Sequence, residues 1–269
     1  MGGADIKRLR TRIRSVDSTL HLTKAMELVA SSKMRKAADA MDKSIAYADA
    51  AIEIINVLAA CRDTEKSVYF RENGTGITRL FVIAGDRGLA GGYNANIFRL
   101  TREYPDAEII PIGKRACERY GREVISSETV NSSELLEMAK EQCRDFSDGK
   151  FDRLGIVCTK YVSIMTQEAT VRWVFPLERN DDNKLPGIIF EPDEISVLES
   201  AVPEYVCGIL SAAVRESFAC EIAARRTAMD SAGKNARDMI DNLTLRYNRA
   251  RQSAITQEIT EIVAGGNAQ

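Results

Sequence analysis

The sequence predicts an α/β fold in which a long antiparallel two-helix coiled coil, formed by the N- and C-terminal segments, joins a central α/β domain with a mainly parallel sheet. Three observations predict it. All six prolines (Pro105, Pro111, Pro176, Pro186, Pro192, Pro203) fall between positions 105 and 203, and no glycine occurs between Gly3 and Gly74. Proline costs about 3 kcal/mol in a helix interior and glycine about 1 kcal/mol relative to alanine, so both flanks can form unusually long helices. Each flank repeats apolar residues at heptad spacing, while the middle alternates short apolar runs with amphipathic segments. The expected parts are 1–62, an N-terminal coiled-coil helix; 63–202, the central α/β domain; and 203–269, a C-terminal coiled-coil helix.

In the first flank the seam runs Ile6, Leu9, Ile13, Val16, Leu20, and resumes at Met34, Ala38, Met41, Ile45, Ala48, Ile52, Ile55, Ala59. Between the two runs the same register falls on Thr23, Glu27 and Ala30, while Leu22, Met26 and Val29 form a neighbouring apolar stripe. Either the coil stutters there, or the helix changes partner and presents a new surface around Met26. The middle contains candidate strands 79–84, 108–112, 122–125, 153–159 and 170–175, with helices near 95–103, 114–120 and 133–145. Such a succession suits a Rossmann-like arrangement, a largely parallel sheet covered by helices. The second flank carries Met229, Ala232, Ala236, Ile240, Leu243, Tyr247, Ala250 and Ala254, then shifts by one to Ile255, Ile259 and Ile262. A helix from about 204 to 263 would be roughly 90 Å long at 1.5 Å per residue. No core of this size could wrap it, so the two flanks are expected to bury their seams against each other, Ile52 and Ile55 included.

Composition excludes several chemistries. The chain has 269 residues, 45% hydrophobic and 28% charged, with a net charge of -2. Nothing approaches eighteen consecutive apolar residues and no secretory signal opens the chain, so neither a span nor export is indicated, and a cytoplasmic protein is expected. The six cysteines (Cys61, Cys117, Cys143, Cys158, Cys207, Cys220) form no C-x-x-C pair, and His21 is the only histidine. A zinc site, thioredoxin-like redox chemistry and a histidine-activated nucleophile are all disfavoured. Asp181, Asp182, Glu191, Asp193 and Glu194 occupy a Pro- and Asn-containing stretch and read as solvated surface.

Charge is unevenly placed. Between Lys7 and Lys36 nine Lys/Arg face two acids, whereas between Glu178 and Glu204 eight acids face two basic residues. The basic helix should therefore meet an acidic partner. Nucleic acid is disfavoured, because the basic residues have no interleaved aromatics. The most suggestive local motif, 85–94 (GDRGLAGGYN), links the first strand to a helix, where a phosphate could sit on a helix N-terminus. Its glycines do not match G-x-G-x-x-G, and no G-x-x-x-x-G-K-[ST] occurs. A tight turn with close backbone approach is the competing reading.

Three stretches together resemble the γ subunit of the F-type ATP synthase over nearly the full length. They are 6–16 with 22–35 (LTKAMELVASSKMR), then Asp86-Arg87-Gly88-Leu89 with Gly91-Gly92-Tyr93-Asn94, and finally 221–263, including RARQSAITQEI. The resemblance implies a central-stalk rotor whose paired helices turn inside a ring of three α and three β subunits, with the α/β domain against an ε subunit and a membrane c-ring. It implies that ATP chemistry belongs to the β subunits, leaving this chain without catalytic residue, cofactor or metal. It places Lys24, Met26, Arg249, Arg251, Gln252, Thr256 and Glu258 at the α/β-ring contact, with Arg251, Gln252, Thr256 and Glu258 opposite the Met26 region, and makes Arg87, Gly88, Gly91 and Gly92 a structural turn. Ala90 stands where many relatives have cysteine, and the cysteine-bearing insertion of chloroplast members is missing, so thiol control is not expected. A bacterial protein peripheral to the cytoplasmic face of the plasma membrane is implied, its ion, H⁺ or Na⁺, being chosen by other subunits. The alternative is a Rossmann-like nucleotide-binding enzyme with a coiled-coil oligomerisation arm.

Overall fold

Long uninterrupted helical pattern at both ends of the chain becomes two helices, α1 (Gly2–Ala59) and α5 (Glu194–Gly266). The structure is a computed structural model and describes residues 2–179 and 188–266. Between the helices, in chain order, come β1 (Thr78–Ile83), α2 (Tyr93–Thr101), β2 (Glu108–Ile112), α3 (Lys114–Tyr120), α4 (Ser132–Ser147), β3 (Arg153–Tyr161) and β4 (Gln167–Phe175). Two short 3-10 turns, Asp63–Lys66 and Val68–Phe70, follow α1. The chain divides into two compact units. One comprises 1–30 with 226–269, the other 31–225.

In the larger unit the sheet order is β2-β1-β3-β4. β1 runs parallel to β2 and β3, and β4 returns antiparallel to β3, so the sheet is mainly parallel with one reversed edge. Strand alternation decides the two faces. Phe81, Ile83, Leu154 and Ile156 pack with Leu135, Ala139 and Phe146 of α4 and with Val206, Leu210 and Val214 of α5. Leu80, Val82 and Val157 face Ile97 of α2 and Ala116 of α3. Asn131 opens α4 with a reciprocal capping box to Glu134. Gly113 joins β2 to α3 at φ +94°, where an added Cβ would stand 1.8 Å from the Ala84 carbonyl oxygen.

Three expectations need correction. Residues 122–125 form no strand; Ile125 accepts one backbone bond, from the Gly113 N–H at 2.8 Å, and no ladder follows. The second long helix begins before Pro203, at Glu194, and the proline lies inside it. Leu198, Val202 and Val206 are fully buried on either side of it, and this packing offsets the backbone hydrogen bond that proline removes. Its start is set by Asp193, whose carboxylate accepts from Ser196 N–H at 2.9 Å and Ser196 Oγ at 2.8 Å. Asp193 is thus an N-cap rather than idle surface. Glu191 is exposed and Glu194 half-buried, and Asp181 and Asp182 lie outside the described residues.

The α1 seam in the larger unit is narrower than its heptads suggest. Ala37, Met41, Ala48, Ile55, Leu58 and Ala59 are buried, but Ile52 is 37% exposed. Ile45 and Ile52 instead line a cavity of about 690 Å³ shared with Trp173 of β4 and Tyr205 of α5. Tyr47 and Ala48 flank Gly208, and Tyr47 donates its hydroxyl to Glu204 at 3.2 Å. One window of α5 is apolar enough by composition to cross a membrane, but 56% of it is buried within the chain, as befits a core helix.

Candidate functional site

The smaller unit holds most of the residues implicated in partner contact. Its two helical segments pack antiparallel, because Thr23 and Leu20 lie against Gly233 while Leu9 and Arg12 share a cavity with Asn242 and Leu243. Met229, Ala236 and Leu243 are buried, with Ala232, Ile240, Tyr247, Ala250 and Ala254 half-buried on the same stripe. The polar seam positions do not break the packing. Thr23 is buried and satisfies its hydroxyl on the Leu20 carbonyl at 3.0 Å, and Glu27 is half-buried beneath Lys24 at 3.0 Å. Beside this intact seam stands the Leu22, Met26 and Val29 stripe, with Met26 half-buried and Leu22 and Val29 more than half exposed.

Antiparallel pairing separates the expected site into two levels. Lys24 lies beside Asp230, whose carboxyl is held below its usual range chiefly by Lys234 and also by Lys24. Arg249, Arg251, Gln252, Thr256 and Glu258 are exposed far along α5, about 24 Å and more from the Gly233 level at 1.5 Å per residue. Arg251, Gln252, Thr256 and Glu258 therefore do not form the opposite side of a contact centred on Met26, which the resemblance implies. Thr256 returns its hydroxyl to the Gln252 carbonyl at 2.9 Å. Beyond Ala254 the apolar side chains of Ile255, Ile259, Ile262 and Val263 are all exposed.

The glycine turn lies in the larger unit and is closed by the chain itself. Gly85 N–H donates to Asn94 Oδ1 at 2.9 Å, and the Asp86 and Arg87 N–H groups donate to the two oxygens of Glu221 at 3.4 and 3.2 Å. Arg225 pairs with Glu221 and donates to the Gly88 carbonyl at 3.2 Å. A buried carboxylate from α5 thus fills the nest where a phosphate would sit. Gly85 is required by that approach, since a Cβ there would come within 2.6 Å of Glu221 Cδ. Gly91 has φ +57° and Gly92 caps α2. Ala90 packs with Tyr93 and Cys220, so a small buried group suffices at this position.

Asp86 anchors the other side of the turn. Burial alone would raise its carboxyl pKa, but donors from Ser126 Oγ (2.6 Å) and the Lys114, Glu128 and Ser127 N–H groups outweigh burial and hold it below the ordinary range. Glu128 in turn receives Lys33 of α1 at 2.5 Å and Arg87 at 3.3 Å. Lys33 is thereby engaged within the chain rather than free for an outside acid. The sequence reading passed over Glu221 and Glu216, although two carboxylates inside the apolar run 212–223 were a legible sign of buried partners. Among the described residues no group of His, Cys, Asp and Glu could hold a metal.

Comparison with known proteins agrees with this architecture. A family model described as ATP synthase matches residues 5–268. A protein of Ruminococcus albus named ATP synthase gamma chain is 40% identical, with 96% of each chain covered. One of Acetobacterium woodii, named ATP synthase gamma chain, sodium ion specific, is 35% identical over 98% of this chain and 97% of its own. Among solved structures, a chain of the Euglena gracilis mitochondrial ATP synthase (OSCP/F1/c-ring, rotational state 3) superimposes with a TM-score of 0.69. It covers 99% of this chain and 95% of that one at 18% identity, a likeness of fold.

Proposed function

The chain belongs to the ATP synthase γ chain family, and from that premise we propose that it is the central-stalk rotor of a bacterial F-type enzyme, passing torque between a membrane c-ring and a catalytic ring of three α and three β subunits. The observation that carries the reading is the two-helix unit. Its apolar seam is consumed internally, so its outer faces are left to slide against partners with dispersed charged and apolar side chains. Lys24, Met26, Arg249, Arg251, Gln252, Thr256 and Glu258 are proposed to meet the ring at two levels along the helices. Arg87, Gly88, Gly91 and Gly92 are proposed as a structural turn, 1–30 with 226–269 as the shaft, and 31–225 as the foot. An ε subunit and the c-ring would seat against the foot, at the cytoplasmic face of the membrane.

Catalysis is assigned to the partner subunits. The glycine turn offers its backbone donors to Glu221 and Asn94, which disfavours the nucleotide-enzyme alternative. Affinity purification of the tagged chain from its native membranes is the test. Co-purification of an ATP-hydrolysing complex containing α and β subunits is expected. Recovery of the chain alone, or saturable ATP hydrolysis by the purified chain, would overturn the assignment.

A further inference from the structure

Within the larger unit α5 is buried on nearly all sides from Val206 to Ala223, and most of what covers it is apolar. Beside the half-buried Ser211 and Arg215, three polar residues of this stretch are fully buried: Glu216 at 4%, Ser217 at 1% and Glu221 at 1% exposure. Charges so deep persist only where partners satisfy them. Glu216 accepts from Tyr161 N–H at 2.8 Å and pairs with Arg172 of β4. Ser217 accepts from Thr159 N–H at 3.1 Å through its hydroxyl and from Tyr93 Oη at 2.9 Å through its carbonyl. Glu221 accepts from the Asp86 and Arg87 N–H groups.

The donors share one location. The backbone donors belong to the C-terminal end of β3 and to the loop that leaves β1, the edge at which open α/β sheets ordinarily bind ligands, and Arg172 of β4 and Tyr93 of α2 add side-chain donors to the same acceptors. Here a helix of the same chain occupies it. Apolar burial is non-directional, so by itself it resists separation of α5 from the sheet far better than twisting or sliding. Hydrogen bonds weaken steeply when misaligned, and rotation of α5 about its axis would pull all these acceptors off their donors together.

We propose that Glu216, Ser217 and Glu221 form a torque joint: a polar socket, built in the sheet's ligand-binding edge, that locks the rotational register of α5 against the α/β domain. Turning the domain then turns the helix instead of slipping past it. The joint rests on the rotor function above, and its members are positioning residues that touch no substrate.

The test uses the assembled enzyme in membrane vesicles, with ion pumping and ATP hydrolysis measured together. Glu216→Gln with Glu221→Gln keeps side-chain size but removes the charges and sets an amide against N–H donors. Glu199→Gln, an exposed change on the same helix, is the control. The double variant is expected to assemble and hydrolyse ATP while its pumping-to-hydrolysis ratio falls several-fold, with the control unchanged. Should the double variant fail to assemble, Ser217→Ala, which deletes one small acceptor, decides the matter by the same ratio at wild-type melting temperature. A wild-type ratio in an assembled double variant, or in Ser217→Ala when that variant decides, overturns the joint alone. Failure of the wild-type chain to support any pumping overturns the rotor reading and the joint with it.

Discussion

Asp86 shows how one side chain can organise a turn. Four donors converge on its carboxylate, and its pKa lies below the unfolded value of about 3.9. The sign of the linkage follows. A depressed folded pKa adds stability that is complete above the unfolded pKa and is lost as pH falls through the folded one. Asp86→Asn should therefore lower stability by about 1–3 kcal/mol near neutrality, with the gap to wild type closing below about pH 4, as followed by urea unfolding across pH. A constant gap from pH 7 to pH 3 would refute the role given to the charge. Glycines flanking the same turn differ in their demands. Gly85→Ala presses on a side chain held by hydrogen bonds, which predicts a loss of about 1–3 kcal/mol. Gly113→Ala meets a backbone carbonyl at φ +94° and should lose more, so equal melting temperatures would contradict the geometry. At this scale the sequence was only partly legible. GDRG announced a turn, but what fills it is Glu221, a residue 135 positions from Asp86, and no local pattern reveals such a partner.

Elements were more legible than residues, since periodicity reports a face without reporting its occupant. α3 was read at its true bounds, Lys114–Tyr120, and β1, β2 and β3 within two residues at each end. Residues 122–125 carry strand composition yet form none, because a strand requires a neighbour's ladder and here Gly113 N–H to Ile125 and Arg122 N–H to Cys117 are isolated backbone bonds. Pro203 misled in the opposite direction, since helix continuity was decided by burial of the surrounding apolar side chains. The seam of α1 supplies a direct check. Ile55, 4% exposed, should lose about 2–5 kcal/mol on replacement by alanine. Ile52, 37% exposed at the rim of a cavity, should lose less than about 1 kcal/mol. Urea unfolding of the two variants side by side would expose an error if the order were reversed.

For the whole molecule, function is expressed through partners, and a single side chain can report on it. Met26 is half-buried beside an intact seam, so Met26→Lys can lift its ammonium into water and leave the fold undisturbed. In the assembled enzyme the added cation would deepen some rotary positions over others. Normal assembly with a lowered ratio of ion pumping to ATP hydrolysis is expected in vesicles, and an unchanged ratio would remove Met26 from the ring contact. The family could be read from the sequence because its three stretches span both helices and the turn, whereas the two-level spread of the ring-facing residues could not, since it depends on the register of the pairing. That register also bears on how the chain is made. Thr23 rests against Gly233, and at about 5–20 residues per second a ribosome needs on the order of 10–40 s to reach the second residue after making the first. Throughout that interval the earlier seam is complete but bare, so the nascent chain should be a client of chaperones, and synthesis stalled before α5 should leave an aggregating fragment rather than a shortened stable one.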